Sequence, residues 1–557
     1  MTNATRCDVS DFVIVGGGST GCTVAGRLSA DPRNSVRLFE EGPNDWNPYI
    51  HLPVTYYKTA KGPLLRRYPY IRSEGQRPLE GATMVQACVL GGGSSVNAML
   101  YVRGVPADYD GWEASGAHGW SYRDVLPYFR SAENNDTFCN EMHGVDGPLG
   151  VSTQQHTHPI TKRWLQACQQ AGLPYNCDFN SGNQAGCGLY QITARGGRRS
   201  SAATAYLKLA RSRSNLSIQT GCRVLRLVVE KGRAVGVEYL SRGQKHVVRA
   251  AREVVVSAGA LNTPKLLMQS GIGPADHLQQ YGIPILHDLK GVGRNYQDHM
   301  EMSFLYRLTG PHSYDKYKKP HWKAWAGLQY GLFKSGPVTS NVAEGGAFWR
   351  SGKGDALPDL QLFFLAGAGV EEGVGSVPGN NGCTISVTQT RPKSRGYIEI
   401  QSADPTLPPV LAPNYLTEPA DIDCMIEGAR LAQDIMSQSA LSSFVAGSHV
   451  PPRSLQTRQD LEDFVRAEAH PGLHPCGTCR MGNDPMAVVD PQLRVRGLDG
   501  LRIADASVIP SIVSGNLNAV VIMIGEKASD LIRGIARPVP ESAVSAGLAL
   551  SAASSAR

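Results

Sequence analysis

The sequence of 557 residues predicts an α/β fold with a parallel sheet, assembled from separated segments around an inserted second domain. Three strand–helix runs carry this reading. Residues 11–15 form an apolar strand, 20–28 a helical run and 36–39 a second apolar strand, which together open a βαβ unit. Far downstream, 253–257 (Glu-Val-Val-Val-Ser) precedes a helix at 263–269. Near the end, 501–504 (Leu-Arg-Ile-Ala) precedes Asp505 and a helix at 518–531. Pieces of one sheet so widely spaced leave room for another domain between them. The Gly-rich stretch 366–382 reads as an exposed loop, and the Ala/Ser-rich 541–557 as a fraying tail.

Composition narrows the function. With 41% hydrophobic and 18% charged residues the chain is not a disordered one. At roughly 150 residues per domain its length allows two to four domains. The apolar run 519–524 is six residues long, against about twenty for a spanning helix. Residues 1–11 lack the apolar core of a signal peptide. A soluble, cytoplasmic protein is expected, with peripheral contact to a membrane left open. The net charge of +7 is dilute. Arg72, Arg77, Arg198 and Arg199 are scattered, and Lys316, Lys318 and Lys319 read as a solvated loop, so no nucleic-acid partner is expected. Twelve cysteines without framework spacing point to reduced thiols. Cys476 and Cys479 form a CxxC, but a structural zinc site needs a second pair and the chain has none, so no metal is expected.

Gly16-Gly17-Gly18-Ser19-Thr20-Gly21 fits GxGxxG between a strand and a helix, and Glu40 follows nineteen residues after Gly21. Gly16 makes the tight turn, Gly18 lets backbone approach a pyrophosphate, and Gly21 allows close helix packing. The helix start then presents free N–H groups and partial positive charge to the phosphates. Glu40 can accept both hydrogen bonds of an adenosine ribose. The motif leaves NAD and FAD equally open.

Four longer segments go further. Residues 87–97 (Ala-Cys-Val-Leu-Gly-Gly-Gly-Ser-Ser-Val-Asn) and 259–273, from Gly259-Ala260-Leu261-Asn262-Thr263-Pro264 to Gly271-Ile272-Gly273, resemble the two signatures of the glucose-methanol-choline (GMC) flavoprotein oxidoreductases. Residues 474–482 (His-Pro-Cys-Gly-Thr-Cys-Arg-Met-Gly) and 514–519 (Ser-Gly-Asn-Leu-Asn-Ala) resemble the family's C-terminal catalytic segments. The C-terminal part is most similar to the choline dehydrogenase and aliphatic-alcohol dehydrogenase branch.

The resemblance implies a Rossmann-like FAD-binding domain built from 1–155, 205–305 and 470–540. It implies a substrate domain from 156–204 and 306–469, on an antiparallel sheet flanked by helices, with 541–557 as the tail. It assigns FAD contacts to Gly16, Gly18, Ser19, Thr20, Gly21, Glu40, Glu41, Leu90, Gly92, Asn97, Ala98, Val224, Asp505, Ala506 and Asn518. His474 corresponds to the base that takes the substrate hydroxyl proton as hydride leaves for flavin N5. Imidazole suits that task, its ordinary pKa of about 6.5 lying near working pH. Asn516 corresponds to the second catalytic position, where an amide can donate to a developing alkoxide. Glu344, Phe363 and Leu473 are assigned to the substrate pocket.

Departures from the family pattern refine this. Val96 stands where some members bind FAD covalently through histidine, so non-covalent FAD is expected. Gln86-Ala87-Cys88 replaces an Arg-containing run, removing a cation near the pyrophosphate. No histidine occurs in 361–373, where choline-type relatives carry one; Phe363-Phe364 and Glu371-Glu372 stand there instead. The resulting expectation is FAD-dependent oxidation of an uncharged primary alcohol to an aldehyde, with a quinone, dye or oxygen as electron acceptor. Gly472 offers no bulky wall beside the flavin, which leans toward a dehydrogenase. The alternatives are choline dehydrogenase proper and a lyase of the same fold, of the hydroxynitrile lyase or photodecarboxylase type. The photodecarboxylase pattern replaces the catalytic histidine and places cysteine where this chain has Thr390, before Arg391-Pro392.

Overall fold

The computed structural model describes residues 8–71, 83–352, 357–369 and 375–537. Arg72, Arg77, Glu371, Glu372 and the tail 541–557 lie outside the described residues.

The N-terminal strand Asp8–Val15 sits mid-sheet, paired in parallel with Val36–Phe39 on one side and Gln244–Val256 on the other. Leu216–Gln219 extends the sheet beyond Val36–Phe39, and Leu501–Ile503 pairs in parallel with the end of Gln244–Val256. Phe12, Val13, Ile14 and Val254 to Val256 are buried on both faces, as near-continuous apolar runs in a covered parallel sheet must be. The expected parallel core is therefore present. Sequence reading missed the edge strand Leu216–Gln219 and the antiparallel meander of Cys222–Glu230, Arg233–Ser241 and the first half of Gln244–Val256. These strands mix exposed and buried positions and so lack a contiguous apolar run.

A second seven-stranded sheet is antiparallel throughout. Val445–Val450, Met300–Leu308, Gly382–Gln389, Leu360–Leu365, Gly345–Trp349 and Gly186–Leu189 follow in that order, and the short strand His470–Pro471 pairs with Met300–Glu301. The helices Pro159–Gln170 and Pro419–Ser437 cover it. The boundary expected at 305/306 falls inside Met300–Leu308, a strand paired along its whole length with Gly382–Gln389, so the substrate-side sheet starts by Met300. The stretch 366–382 is an exposed loop only in its second part, where Gly375, Ser376, Pro378 and Gly379 are exposed. Ala366, Ala368 and Val377 are buried, Ala368 and Val377 packing with Leu305.

The helices Ser19–Leu28 and Asn518–Arg533 pack side by side. Thr20 Oγ1 donates to the Val521 carbonyl at 2.9 Å and Ser19 Oγ to Asn518 Oδ1 at 3.0 Å. A Cβ on Gly525 would lie 2.8 Å from that of Thr23, so glycine sets the closeness of this crossing. Two helix N-termini, from opposite ends of the chain, thereby open on one place.

Candidate active site

That place is a cavity of about 1190 Å³ between the two sheets. One wall is the strand-to-helix turn after Asp8–Val15. Gly16 has φ +100°, and a Cβ there would come within 2.4 Å of the Ser257 carbonyl oxygen, so only glycine fits the turn. Gly18, Ser19 and Thr20 line the cavity beside it. Gly92, at φ +54°, brings the second loop against this turn, where a Cβ would meet Gly18 Cα at 2.7 Å. Asn97, Ala98, Val224, Asp505, Ala506 and Asn518 complete this end, together with Glu40 and Glu41.

Glu40 is buried, and its two carboxylate oxygens each accept a backbone N–H at 2.8 Å, from Gly17 and Gly42. Burial pushes its pKa up against these bonds. Each oxygen keeps a second lone pair for a hydroxyl in the cavity. Asp505 likewise holds Gly259 N–H, Thr263 Oγ1 and Ser507 N–H at 2.9, 2.6 and 2.8 Å. Glu41 pairs with Arg66 and Arg223. The cation sought at 86–88 is absent there, yet Arg66, Arg67, Arg223 and Lys265 all line the cavity. Burial lowers Lys265 to about 8.

Two assigned contacts are corrected. Gly21 lies behind the turn, where a Cβ would sit 1.9 Å from the Gly16 oxygen, so it serves helix packing alone. Leu90 is fully buried; its N–H donates to Pro43 and its carbonyl accepts from Ser95 Oγ. It supports Gly17 from below and does not reach the cavity.

At the other end stand His474 and Asn516. The antiparallel pairing of 297–301 with 470–476 sets His474 beside His299, through Gly472 N–H to His299 O and reciprocal bonds between Gln297 and Cys476. Leu473, at φ +64°, makes an uncommon left-handed turn, exposes its side chain and lines the cavity. Asp298 Oδ1 accepts the His474 N–H at 2.7 Å, and Oδ2 accepts from Tyr415 Oη at 2.8 Å. Desolvation pushes Asp298 up to about 7.

The imidazole of His474 contacts His299 Nδ1 through its own Nδ1 at 3.0 Å, and Asn516 Nδ2 through Nε2 at 3.2 Å. His299 Nε2 meets the Val513 carbonyl at 3.1 Å, and Gln361 Nε2 donates to Asn516 Oδ1 at 3.1 Å. Desolvation lowers His474 to about 4 and drives His299 well below the ordinary value, so both are neutral at pH 7. Phe363, Ala343, Glu301 and His470 form the adjoining wall.

Glu344 is the third correction. It is completely buried off the cavity, its carboxylate accepting from Ser340 Oγ (2.6 Å), Thr161 Oγ1 (2.7 Å), His158 N–H (2.8 Å) and Tyr314 Oη. With four donors already around it, Glu344 ties the substrate sheet to the helix Pro159–Gln170 and has no face for substrate. Ala343, one residue earlier, lines the cavity instead. Cys476 and Cys479 are separate buried thiols, both pushed up by desolvation. His299, Glu301 and Gln361 were missed in the sequence, although the run Gln297-Asp298-His299 between two glycine-marked segments and a strand could have drawn attention.

A nucleotide-binding wall facing a half-buried histidine–amide pair defines a dinucleotide-dependent oxidoreductase. Residues 10–301 match the N-terminal family model described as GMC oxidoreductase, and 392–525 match its C-terminal counterpart. The oxygen-dependent choline dehydrogenase of Rhizobium etli is 43% identical over 530 residues, 94% of this chain and 96% of that protein. The mitochondrial choline dehydrogenase of Homo sapiens is 42% identical over 95% of this chain and 90% of its own. Among solved structures, pyridoxine 4-oxidase from Mesorbium loti superposes with a TM-score of 0.84 at 30% identity, covering 96% of this chain and 100% of that one. A variant of Aspergillus oryzae formate oxidase, studied for FAD modification, reaches 0.89 at 28% identity, covering 95% and 99%. The chain belongs to the GMC oxidoreductase family. It is an FAD-dependent alcohol oxidoreductase.

The cavity fits that cofactor. Cβ positions on Gly18 and Gly93 meet almost nothing, so bare backbone faces open space at both loops. Asn518 Nδ2 and Ser257 Oγ are buried on the cavity wall without a partner in the protein, as donors awaiting a bound group would be.

Proposed function

We propose that the enzyme oxidises a primary alcohol to its aldehyde with His474 Nε2 as the general base and Asn516 as the donor to the alcohol oxygen. The observation carrying this is the chain of hydrogen bonds through the two histidines. The Val513 carbonyl only accepts, so His299 Nε2 carries its proton and donates it. Neutral His299 then has a bare Nδ1, which accepts from His474 Nδ1. His474, neutral as well, is left with its lone pair on Nε2, beside Asn516 Nδ2. Gln361 donates to Asn516 Oδ1, which turns the Asn516 amide N–H toward His474.

An alcohol oxygen seated between these groups donates its proton to His474 Nε2 and accepts from Asn516 Nδ2. Bound FAD supplies the two-electron acceptor for the hydride leaving the carbinol carbon. As the hydroxyl proton transfers, the imidazolium formed keeps its Nδ1–H bond to His299, and the amide N–H stabilises developing alkoxide charge. The FAD is held without a covalent bond. Val96, whose aliphatic side chain cannot form one, lines the cavity at the position a linking histidine would take. We assign cofactor contacts to Gly16, Gly18, Ser19, Thr20, Glu40, Glu41, Gly92, Asn97, Ala98, Val224, Asp505, Ala506 and Asn518, without Gly21 and Leu90, and the FAD-binding segments to 1–155, 205 to about 299 and 470–540. The eleven described cysteines form no disulfide with one another, in keeping with the cytoplasmic location we propose. A quinone, dye or oxygen takes the electrons onward.

One observation favours a second substrate reading. Glu301 lines the cavity two residues from His299, in register with His470 and Thr388. A carboxylate there suits an alcohol carrying an ammonium group, in keeping with the relatives named choline dehydrogenase. An anaerobic screen of choline and uncharged primary alcohols, read by bleaching of flavin absorbance and then by re-oxidation with oxygen or a quinone, tests both. Cleavage of a cyanohydrin with no bleaching by any alcohol would overturn the reading.

A further inference from the structure

We propose that the helix Pro320–Phe333 docks the enzyme on an anionic lipid surface. Of its fourteen residues only Ala326 is buried. Trp322, Trp325, Leu328, Leu332 and Phe333 are 40%, 58%, 53%, 65% and 72% exposed. At 3.6 residues per turn these five side chains fall within an arc of about 140° on one side of the helix. Single exposed apolar side chains are ordinary, but five on one short helix form a patch.

The surroundings are basic. Lys318, Lys319, Lys323 and Lys334 are exposed at the helix and its ends, with Lys316 beside Tyr317 and Trp322. Asp315 is the only acidic residue in 309–343; it is buried and paired with Lys318 at 2.7 Å, and among the described residues Lys316, Lys319, Lys323 and Lys334 have no ion-pair partner. At the far end the hairpin of Ala194–Arg195 and Arg198–Arg199 packs close by. A Cβ on Gly197 would lie 3.0 Å from the Lys334 carbonyl, and Arg198 acts electrostatically on Tyr330.

Apolar side chains with two tryptophans, framed by lysines, match the boundary between acyl chains and anionic headgroups. Every residue of the helix but Ala326 keeps exposed surface, so the helix stands proud of the molecule. A second copy of the chain would bring lysines against lysines across a twofold axis, at a cost in repulsion. The contact is peripheral, since no helix among the described residues is long and apolar enough to cross a membrane.

The test uses the full FAD-loaded protein with sedimented vesicles of phosphatidylcholine alone or mixed with phosphatidylglycerol. The protein should pellet with the mixed vesicles, weakly with the neutral ones, and progressively less as salt rises. Trp325→Glu with Leu332→Glu should lower the partition coefficient at least tenfold. Lys319→Gln with Lys323→Gln should lower it by roughly fivefold per charge. Both variants should turn over alcohol with a soluble dye at the parental rate, which shows that they fold. No binding to anionic vesicles at low salt, or equal binding by the Glu variant, would overturn the proposal. So would a dimer that the Glu variant abolishes without vesicle binding, which gives the face to a second copy. Binding to polyglutamate but not to vesicles would give it to an acidic protein.

Discussion

His299 Nδ1 lies 3.0 Å from His474 Nδ1, while its other nitrogen meets the Val513 carbonyl at 3.1 Å, three residues before Asn516. In the mechanism proposed above, the Val513 carbonyl orients His299 and through it the His474 ring, and the same segment supplies the amide that faces it. In that mechanism the proton-accepting nitrogen and the oxyanion donor are thereby aligned by a single turn of chain.

His474→Ala should fold and bind FAD, because the wall from Gly16 to Glu40 is untouched. Anaerobic reduction by a good alcohol should fall by roughly 10²–10⁴-fold, the usual worth of a general base. In the parent, burial lowers His474 to about 4, so the base is free through the neutral range. Reduction should therefore hold as pH falls toward 5 and drop only near 4, when the imidazole takes a proton. The mutant should lack that limb. Stopped-flow reduction across pH measures both, and an unchanged rate and profile would remove His474 from the role.

In the proposed mechanism His299 acts through His474 as a positioning residue. His299→Leu removes the acceptor for Nδ1–H and frees the tautomer, so reduction should slow by roughly 10–100-fold, in line with one lost buried hydrogen bond. Its pH limb should also move. His299→Gln, whose amide oxygen can accept the same proton, should recover part of the rate. If the two variants slowed equally and kept the parental pH limb, His299 would be packing only.

Glu301→Gln separates the substrate readings. If the carboxylate faces an ammonium group, KM for choline should rise by about tenfold or more, with KM for an uncharged alcohol of similar size nearly unchanged. Parallel changes for both alcohols would leave Glu301 to the sheet, where Thr388 Oγ1 already reaches it at 3.4 Å.

Acid precipitation should leave the FAD in the supernatant. Val96 is the residue responsible, and Val96→His is the informative control. Yellow colour remaining in the washed precipitate of the parent protein would show a covalent link elsewhere.

Local pattern was enough to read several features from the chain itself. The opening βαβ unit, the glycine turn at Gly16 and the helix from Asn518 depend on neighbours within a few residues, and the structure places the expected elements within a residue or two, apart from earlier starts at Asp8, Gln244 and Gly259. His474 and Asn516 were legible through motif resemblance, and they do meet in the cavity. The tertiary structure alone decided what stands behind and beside them. His299 reaches His474 across 175 positions only because 297–301 and 470–476 run antiparallel, and Gln361 reaches Asn516 across 155 from a strand of the other sheet. Glu344 shows the reverse case. A motif-matched carboxylate is withdrawn from the cavity because Tyr314, Ser340, Thr161 and the His158 backbone converge on it. Spacing along a chain reports which face of an element a side chain occupies. Which distant donors or acceptors meet it there is set by sheet pairing and helix crossing, and those decide whether a buried charge faces substrate or serves the scaffold.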